Sequence, residues 1–194
     1  RRKDVEVPVI CDIDARMLER SLNIFRKHQK KVPEILTGSA NAWRNMLERK
    51  DLDGIIISTP WEWHAPMIIA AAQAGIRYIG TEVMLGITLQ DHWDVVKAAE
   101  QYKAHVMMLE NVCYRRDVLA VLNMVRQGLF GELVHLQGGY QHDLRAVKFN
   151  NGKDPYGGGV EFGEKAFSEA RWRTHHSVHR NGDLYPTHGV GPLA

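Results

Sequence analysis

Gly54-Ile55-Ile56-Ile57-Ser58 constrains this chain more than any other stretch. An unbroken β-branched run has no polar face, so it predicts a strand buried on both faces of a parallel sheet. Such a sheet needs crossover helices, and helical spacing stands on either side of the run. Apolar residues at Met17, Leu18, Leu22, Ile24 and Phe25 predict an amphipathic helix over 15–30, with Asp14 as its N-cap. Further helices are predicted over 42–49, over 64–74 with Gly75 as a stop, and over 89–102 behind a Thr88 cap. Strands are predicted over 7–11, 77–80 and 105–109. Strands alternating with helices at this spacing give a doubly wound, Rossmann-like α/β sheet.

The pattern changes after Glu110-Asn111. A helix is predicted over 117–127, ended by Gly128, and alternation over 132–141 predicts a strand with one exposed face. Residues 150–164 are glycine-rich and irregular, and an irregular stretch of that length is more often functional than idle. A domain boundary is therefore expected near Asn111. Residues 1–110 read as a dinucleotide-binding domain, and 111–194 as the start of an α+β substrate domain. The chain also looks incomplete at both ends. It opens almost directly into a strand, without the first strand and G-x-G-x-x-G turn of a dinucleotide fold, and stops soon after residue 189.

Charge narrows the partners. A formal net charge of +2 with no long Lys/Arg block argues against nucleic acid or an anionic membrane. No apolar run reaches transmembrane length, and Arg1-Arg2-Lys3 leads into Asp4 and Glu6 rather than a signal-peptide core. Cys11 and Cys113 give no disulfide framework, and Cys11 is expected as a small core residue.

In a doubly wound sheet, ligands bind beyond the carboxyl ends of the strands. That rule selects Asp12, residues 59–64, Glu82-Val83 and Glu110-Asn111. Asp12 suits the two ribose hydroxyls of NAD. Trp61 and Trp63 stand either to flank a planar ring or as ordinary rim aromatics, and His64 begins a helix. Farther on, Asn181-Gly182-Asp183-Leu184-Tyr185-Pro186-Thr187-His188-Gly189 puts a phenol, a hydroxyl and an imidazole within four residues, around a proline that fixes the backbone. Those are groups suited to acid/base chemistry. A metal alternative rests on His175, His176, His179 and His188, of which His175 and His179 share a helical face. A full H-E-x-x-H is absent, and no metal is expected.

Val9-Ile10-Cys11-Asp12, Ile57-Ser58-Thr59-Pro60 with His64, and Tyr78-Ile79-Gly80-Thr81-Glu82 resemble the glucose–fructose oxidoreductase and inositol dehydrogenase superfamily. Where those dehydrogenases carry Glu-Lys-Pro, this chain reads Glu82-Val83-Met84, without the active-site lysine. A closer resemblance is carried by Trp61-Glu62-Trp63-His64, Glu82-Val83, the run from Glu110 through Asp117, the run from Leu136 through Leu144, and Asn181 through Gly189. Together they are similar to glycoside hydrolase family 109, the NAD-dependent α-N-acetylgalactosaminidases.

By position, that resemblance implies cofactor contacts at Asp12, Trp61, Glu62, Trp63, His64, Glu82, Val83, Asn111 and Tyr185. It implies substrate contacts at Tyr140, Arg173, Tyr185, Pro186, Thr187 and His188. Tyr140 and His188 are the implied catalytic pair, with Tyr185 orienting substrate and cofactor. The implied cofactor is NAD and the implied substrate a small molecule or glycan bearing N-acetylgalactosamine. Members are bacterial and often exported, and homo-oligomerisation is left open.

The implied chemistry replaces the two carboxylates of direct glycoside hydrolysis. Oxidation at C3 acidifies the C2 hydrogen, loss of that proton expels the C1 substituent, water adds back, and the hydride returns. His188 is expected to act at the C3 hydroxyl and Tyr140 at C2, with the two roles open to exchange. Tyr140 would need a nearby cation to act as a base. The alternatives are an NAD-dependent sugar oxidoreductase on the same fold, a metal-dependent hydrolase, and a non-catalytic dinucleotide-binding fragment.

Overall fold

The computed structural model describes residues 4–28, 31–151 and 169–194. Most of the glycine-rich 150–164 stretch, and the end of the helix predicted over 15–30, lie outside the described residues.

The first half alternates as the sequence predicts. β1 (Val9–Cys11), α1 (Ala15–His28), β2 (Glu34–Leu36), α2 (Trp43–Leu47), β3 (Gly54–Ile57), α3 (Trp61–Gln73), β4 (Tyr78–Thr81), α4 (Leu89–Tyr102) and β5 (His105–Met108) follow in order. Every strand pairing is parallel. β1 pairs with β2, and β3-β4-β5 form a second sheet in register Ile56↔Gly80↔Met107. Parallel strands joined through helices are the α/β class that the alternation predicts.

Local chemistry sets the boundaries. The Asp14 carboxylate accepts from Arg16 N at 2.9 Å, and its carbonyl receives Met17 and Leu18, so Asp14 opens α1. Thr88 caps α4 in a reciprocal box with Asp91, satisfying two backbone N–H groups that a helix start leaves open. Gly75, at φ +86°, takes the left-handed turn that ends α3. β2 escaped the sequence reading because its Pro-flanked Glu34-Ile35-Leu36 is short and shows no strand periodicity.

Two expectations need correction. The helix predicted over 64–74 starts earlier: α3 begins at Trp61 directly after Pro60, so Trp61 to His64 form its first turn. Residues 132–141 form no strand, and Val134 is 91% exposed. Alternation defines two faces, but a strand exists only where a neighbour takes its ladder, and none does among the described residues.

The core lies between β3-β4-β5 and the α3-α4 pair. Ile57, Ile68, Ala71, Ala72, Ile79, Val95 and Ala98 interdigitate there. The opposite sheet face is open among the described residues, with Ile56 75% exposed. The expectation that the isoleucine run is buried on both faces therefore holds for one face.

After the sheet come a 3-10 turn (Asn111–Tyr114), α5 (Arg116–Arg126), α6 (Arg145–Lys148), α7 (Ala170–His179), α8 (Thr187–Val190) and a final 3-10 turn (Gly191–Leu193). α7 is pinned in three places. Thr174 Oγ donates to the Lys148 carbonyl at 2.9 Å, His176 Nε2 lies 3.0 Å from Glu62 Oε2 of α3, and Arg180 donates to the Ile87 carbonyl at 3.1 Å.

Candidate active site

The predicted acid/base residues converge. The Tyr140 and His188 rings meet edge to face at 4.7 Å, Tyr185 and His188 at 4.8 Å, and Tyr140 and Tyr185 lie 5.8 Å apart. Backbone contact brings these distant segments together. A Cβ on Gly138 would stand 2.4 Å from the Gly189 carbonyl oxygen, and one on Gly189 would stand 3.2 Å from the Gly139 backbone. Only chains without side chains at these points can pass so closely. The glycines therefore set Tyr140 beside His188.

Glu110 completes the cluster from the end of β5. Its Oε1 lies 2.6 Å from His188 Nδ1, and both side chains are largely buried. The same oxygen accepts from Val112 N at 2.9 Å, which caps the 3-10 turn. Burial alone pushes the Glu110 carboxyl upward, but hydrogen bonding from Val112 and His188, with help from Thr187, holds it below the ordinary carboxylate range. Thr187 Oγ and Glu110 Oε2 are buried without a partner in hydrogen-bond geometry, so that help is weaker than the other two donations. The sequence marked Glu110 only as a strand-end residue, because its partner lies 78 positions away.

Trp61 links the strand ends to the rings. It is buried against Trp172 at 4.8 Å, His176 at 5.2 Å and Tyr185 at 5.7 Å. The Arg173 guanidinium stacks 4.9 Å from the Trp61 ring and 5.3 Å from that of Tyr185, and pairs with Glu169. Burial raises the Tyr185 pKa, an effect that the Arg173 charge opposes without reversing. Tyr185 is thus a neutral phenol, fitted to donate a hydrogen bond rather than to take a proton.

Trp61 and Trp63 do not flank one ring. Two residues apart on a helix they diverge by roughly 200°, and Trp63 packs against the sheet core instead. His64 is fully buried, with Nδ1 at 2.5 Å from the Met84 carbonyl and Nε2 at 2.7 Å from that of Thr59. It clamps two loops together and presents no surface to a ligand. Val83 is buried, whereas Glu82 and Asn111 are exposed at the ends of β4 and β5. Asp12 sits at the end of β1, where its Oδ1 accepts from Asp14 N at 2.8 Å. Pro186 precedes α8, and Thr187 opens it.

The strand ends thus offer carboxylates and an amide at Asp12, Glu82 and Asn111, the donor and acceptor set that suits ribose hydroxyls. Those residues fit the ribose portions of a dinucleotide. A glycine-rich turn for the pyrophosphate is not among the described residues. Nor do the described residues gather three or more His, Cys, Asp or Glu side chains able to hold a metal ion. His175 and His179 stack on each other at 4.2 Å, while His176 and His188 each face a carboxylate.

The family model described as "Glycosyl hydrolase 109, C-terminal domain" matches residues 114–194. A glycosyl hydrolase family 109 protein of Stenotrophomonas maltophilia is 61% identical across 100% of this chain and 43% of its own length. Residues 114–194 are thus similar to the C-terminal domain of glycosyl hydrolase family 109. A family relative in Tannerella forsythia, named alpha-N-acetylgalactosaminidase, is 49% identical over 97% of this chain and 41% of its own. The chain therefore spans about two fifths of the length of these family 109 relatives. Its fold is also that of the WlbA dehydrogenase from Bordetella pertussis, solved in complex with NADH and UDP-GlcNAcA. That likeness has a TM-score of 0.55 at 21% identity, covering 66% of this chain and 34% of the other. The Tyr140, Tyr185 and His188 cluster falls inside the matched 114–194 region.

Proposed function

We propose that this chain carries part of the active site of an NAD-dependent α-N-acetylgalactosaminidase. The observation that carries the reading is the meeting of Tyr140, Tyr185 and His188 in front of the buried Glu110 carboxylate. Direct hydrolysis needs two carboxylates placed about the scissile bond. The carboxylate brought to these rings is engaged with His188 and Val112, which supports a proton-transfer site instead. The Tannerella relative's name supports the substrate, and the NADH-bound WlbA dehydrogenase of like fold supports the cofactor.

Asp12, Trp61, Glu62, Glu82, Asn111 and Tyr185 would hold NAD, with Val83 packing beneath the end of β4. Bound there, the nicotinamide supplies the hydride acceptor and donor for C3 of the sugar. His188 removes the proton of the C3 hydroxyl, and Glu110 stabilises the imidazolium that results. Tyr140 takes the C2 proton, so that the C1 substituent leaves without an oxocarbenium-like step. Tyr185 donates a hydrogen bond that orients the sugar, and Arg173 holds the Tyr185 ring. Thr187, which opens α8 next to His188, is a further contact for substrate. A buried valine at position 83 cannot replace the lysine of the related dehydrogenases, which favours this reading over a simple sugar oxidoreductase.

The test is to incubate full-length protein with an aryl α-N-acetylgalactosaminide, following phenol release and reduced-cofactor absorbance together. Phenol release without net cofactor reduction is expected, lost on stripping the dinucleotide and restored by NAD. Undiminished release from stripped protein would sink the NAD route. Steady NADH accumulation with free sugar would make the protein a dehydrogenase.

A further inference from the structure

Tyr140 is 38% exposed, and its phenol oxygen lies 2.5 Å from Nδ1 of the exposed His142. The two rings meet edge-on with centroids 5.8 Å apart. A phenol is mostly protonated at neutral pH, so it can accept a carbon-bound proton only after losing its own. Arg173 does not supply that drain directly, because its guanidinium stacks on Tyr185, Trp61 and Trp172. His142 lies against the phenol oxygen and is itself exposed to solvent.

We propose that His142 is the positioning and relay residue for Tyr140, taking the phenol proton before each turnover and exchanging it with water. This rests on Tyr140 acting at C2 as described above. The transfer balances without another reactant. The Tyr140 O–H bond breaks as a bond forms between the proton and His142 Nδ1, leaving a phenolate beside an imidazolium. The phenolate then takes the C2 hydrogen as a proton, the C2–H electron pair forms the new double bond, and the C1 substituent departs with its bonding pair. The imidazolium is the proton source for that departing oxygen, directly or through solvent.

Several charged groups share the surroundings. Asp143 is held well below the ordinary carboxylate range, chiefly by its bonds to Arg145, with His142 adding to the effect. Tyr185 and His188 also pack against Tyr140, with Glu110 bonded to His188 and Arg173 over Tyr185.

The decisive variant is His142→Asn in the full-length protein supplied with NAD. Its side-chain oxygen can occupy the place of Nδ1 and hold Tyr140 by a hydrogen bond, but it cannot take a proton. With an aryl α-N-acetylgalactosaminide, kcat should fall roughly 10²-fold at nearly unchanged KM, the loss expected for one proton-transfer group. The kinetic isotope effect from deuterium at C2 should rise. A role limited to holding Tyr140 would leave kcat, isotope effect and pH profile at wild-type values, and would overturn the proposal. A second measurement does not depend on glycosidase activity: the titration of His142 followed by NMR in wild type and in Tyr140→Phe. A changed titration supports the shared proton. Identical curves overturn it, whatever the catalytic result. Absence of sugar cleavage by the wild type would instead overturn the proposed function.

Discussion

Glu110 and His188 form a carboxylate–imidazole pair at 2.6 Å across 78 residues of chain. The carboxylate accepts, so Nδ1 carries the hydrogen and Nε2 is left as the proton acceptor. This is the arrangement that makes an imidazole a directed base rather than a general one.

Replacing Glu110 with Gln should lower kcat for aryl glycoside cleavage by roughly 10²-fold or more while KM changes little. Stability should respond as well. The Glu110 carboxyl is held below its ordinary value in the folded protein, so its contribution is present above about pH 4 to 5 and is lost as pH falls through the folded value. A Glu110→Gln protein whose acid-unfolding midpoint equals that of wild type would contradict this.

Gly138→Ala should separate Tyr140 from His188. The new methyl would lie 2.4 Å from a backbone oxygen, so the loop must move instead of a side chain. Overpacking of this kind costs about 1–3 kcal/mol. Activity should fall more steeply than thermal stability, and Gly189→Ala, with its looser 3.2 Å approach, should do less. Equal kcat in wild type and Gly138→Ala would refute the glycine contact as the device that sets the pair.

His64→Leu should be a stability variant. It leaves the Thr59 and Met84 carbonyls buried without their ring partner, at a cost of about 1–3 kcal/mol. A lowered melting temperature is expected, with weaker NAD binding following from the loosened strand ends. Unchanged melting together with reduced NAD affinity would instead make His64 a direct ligand.

On the proposed reading, Asp12 lies where it would bear on cofactor choice. Asp12→Asn should weaken NAD binding about tenfold and narrow the preference over NADP, because a carboxylate both bonds ribose hydroxyls and repels a phosphate there. Titration of full-length protein with both dinucleotides reads this out. An unchanged ratio would limit Asp12 to its hydrogen bond with Asp14 N.

Local interactions explain which parts of the molecule were legible in advance. The Thr88 cap, the Gly75 stop and the isoleucine strand depend on neighbours a few residues away, so spacing reveals them. The strand predicted over 132–141 failed because pairing is a long-range property that alternation cannot supply. His142 went unremarked because a lone histidine in a polar loop carries no signal until Tyr140 is seen beside it.

By itself, the amino-acid order determined the alternating α/β architecture and the strings that carry the likeness to glycosyl hydrolase family 109. Tertiary structure alone decided that Tyr140 meets His188, that Glu110 holds that histidine, and that His64 and Trp63 belong to the frame. The reason is physical. Turns and caps are fixed by energies local to a few residues, whereas a site is assembled from contacts whose sequence separation leaves no periodic trace.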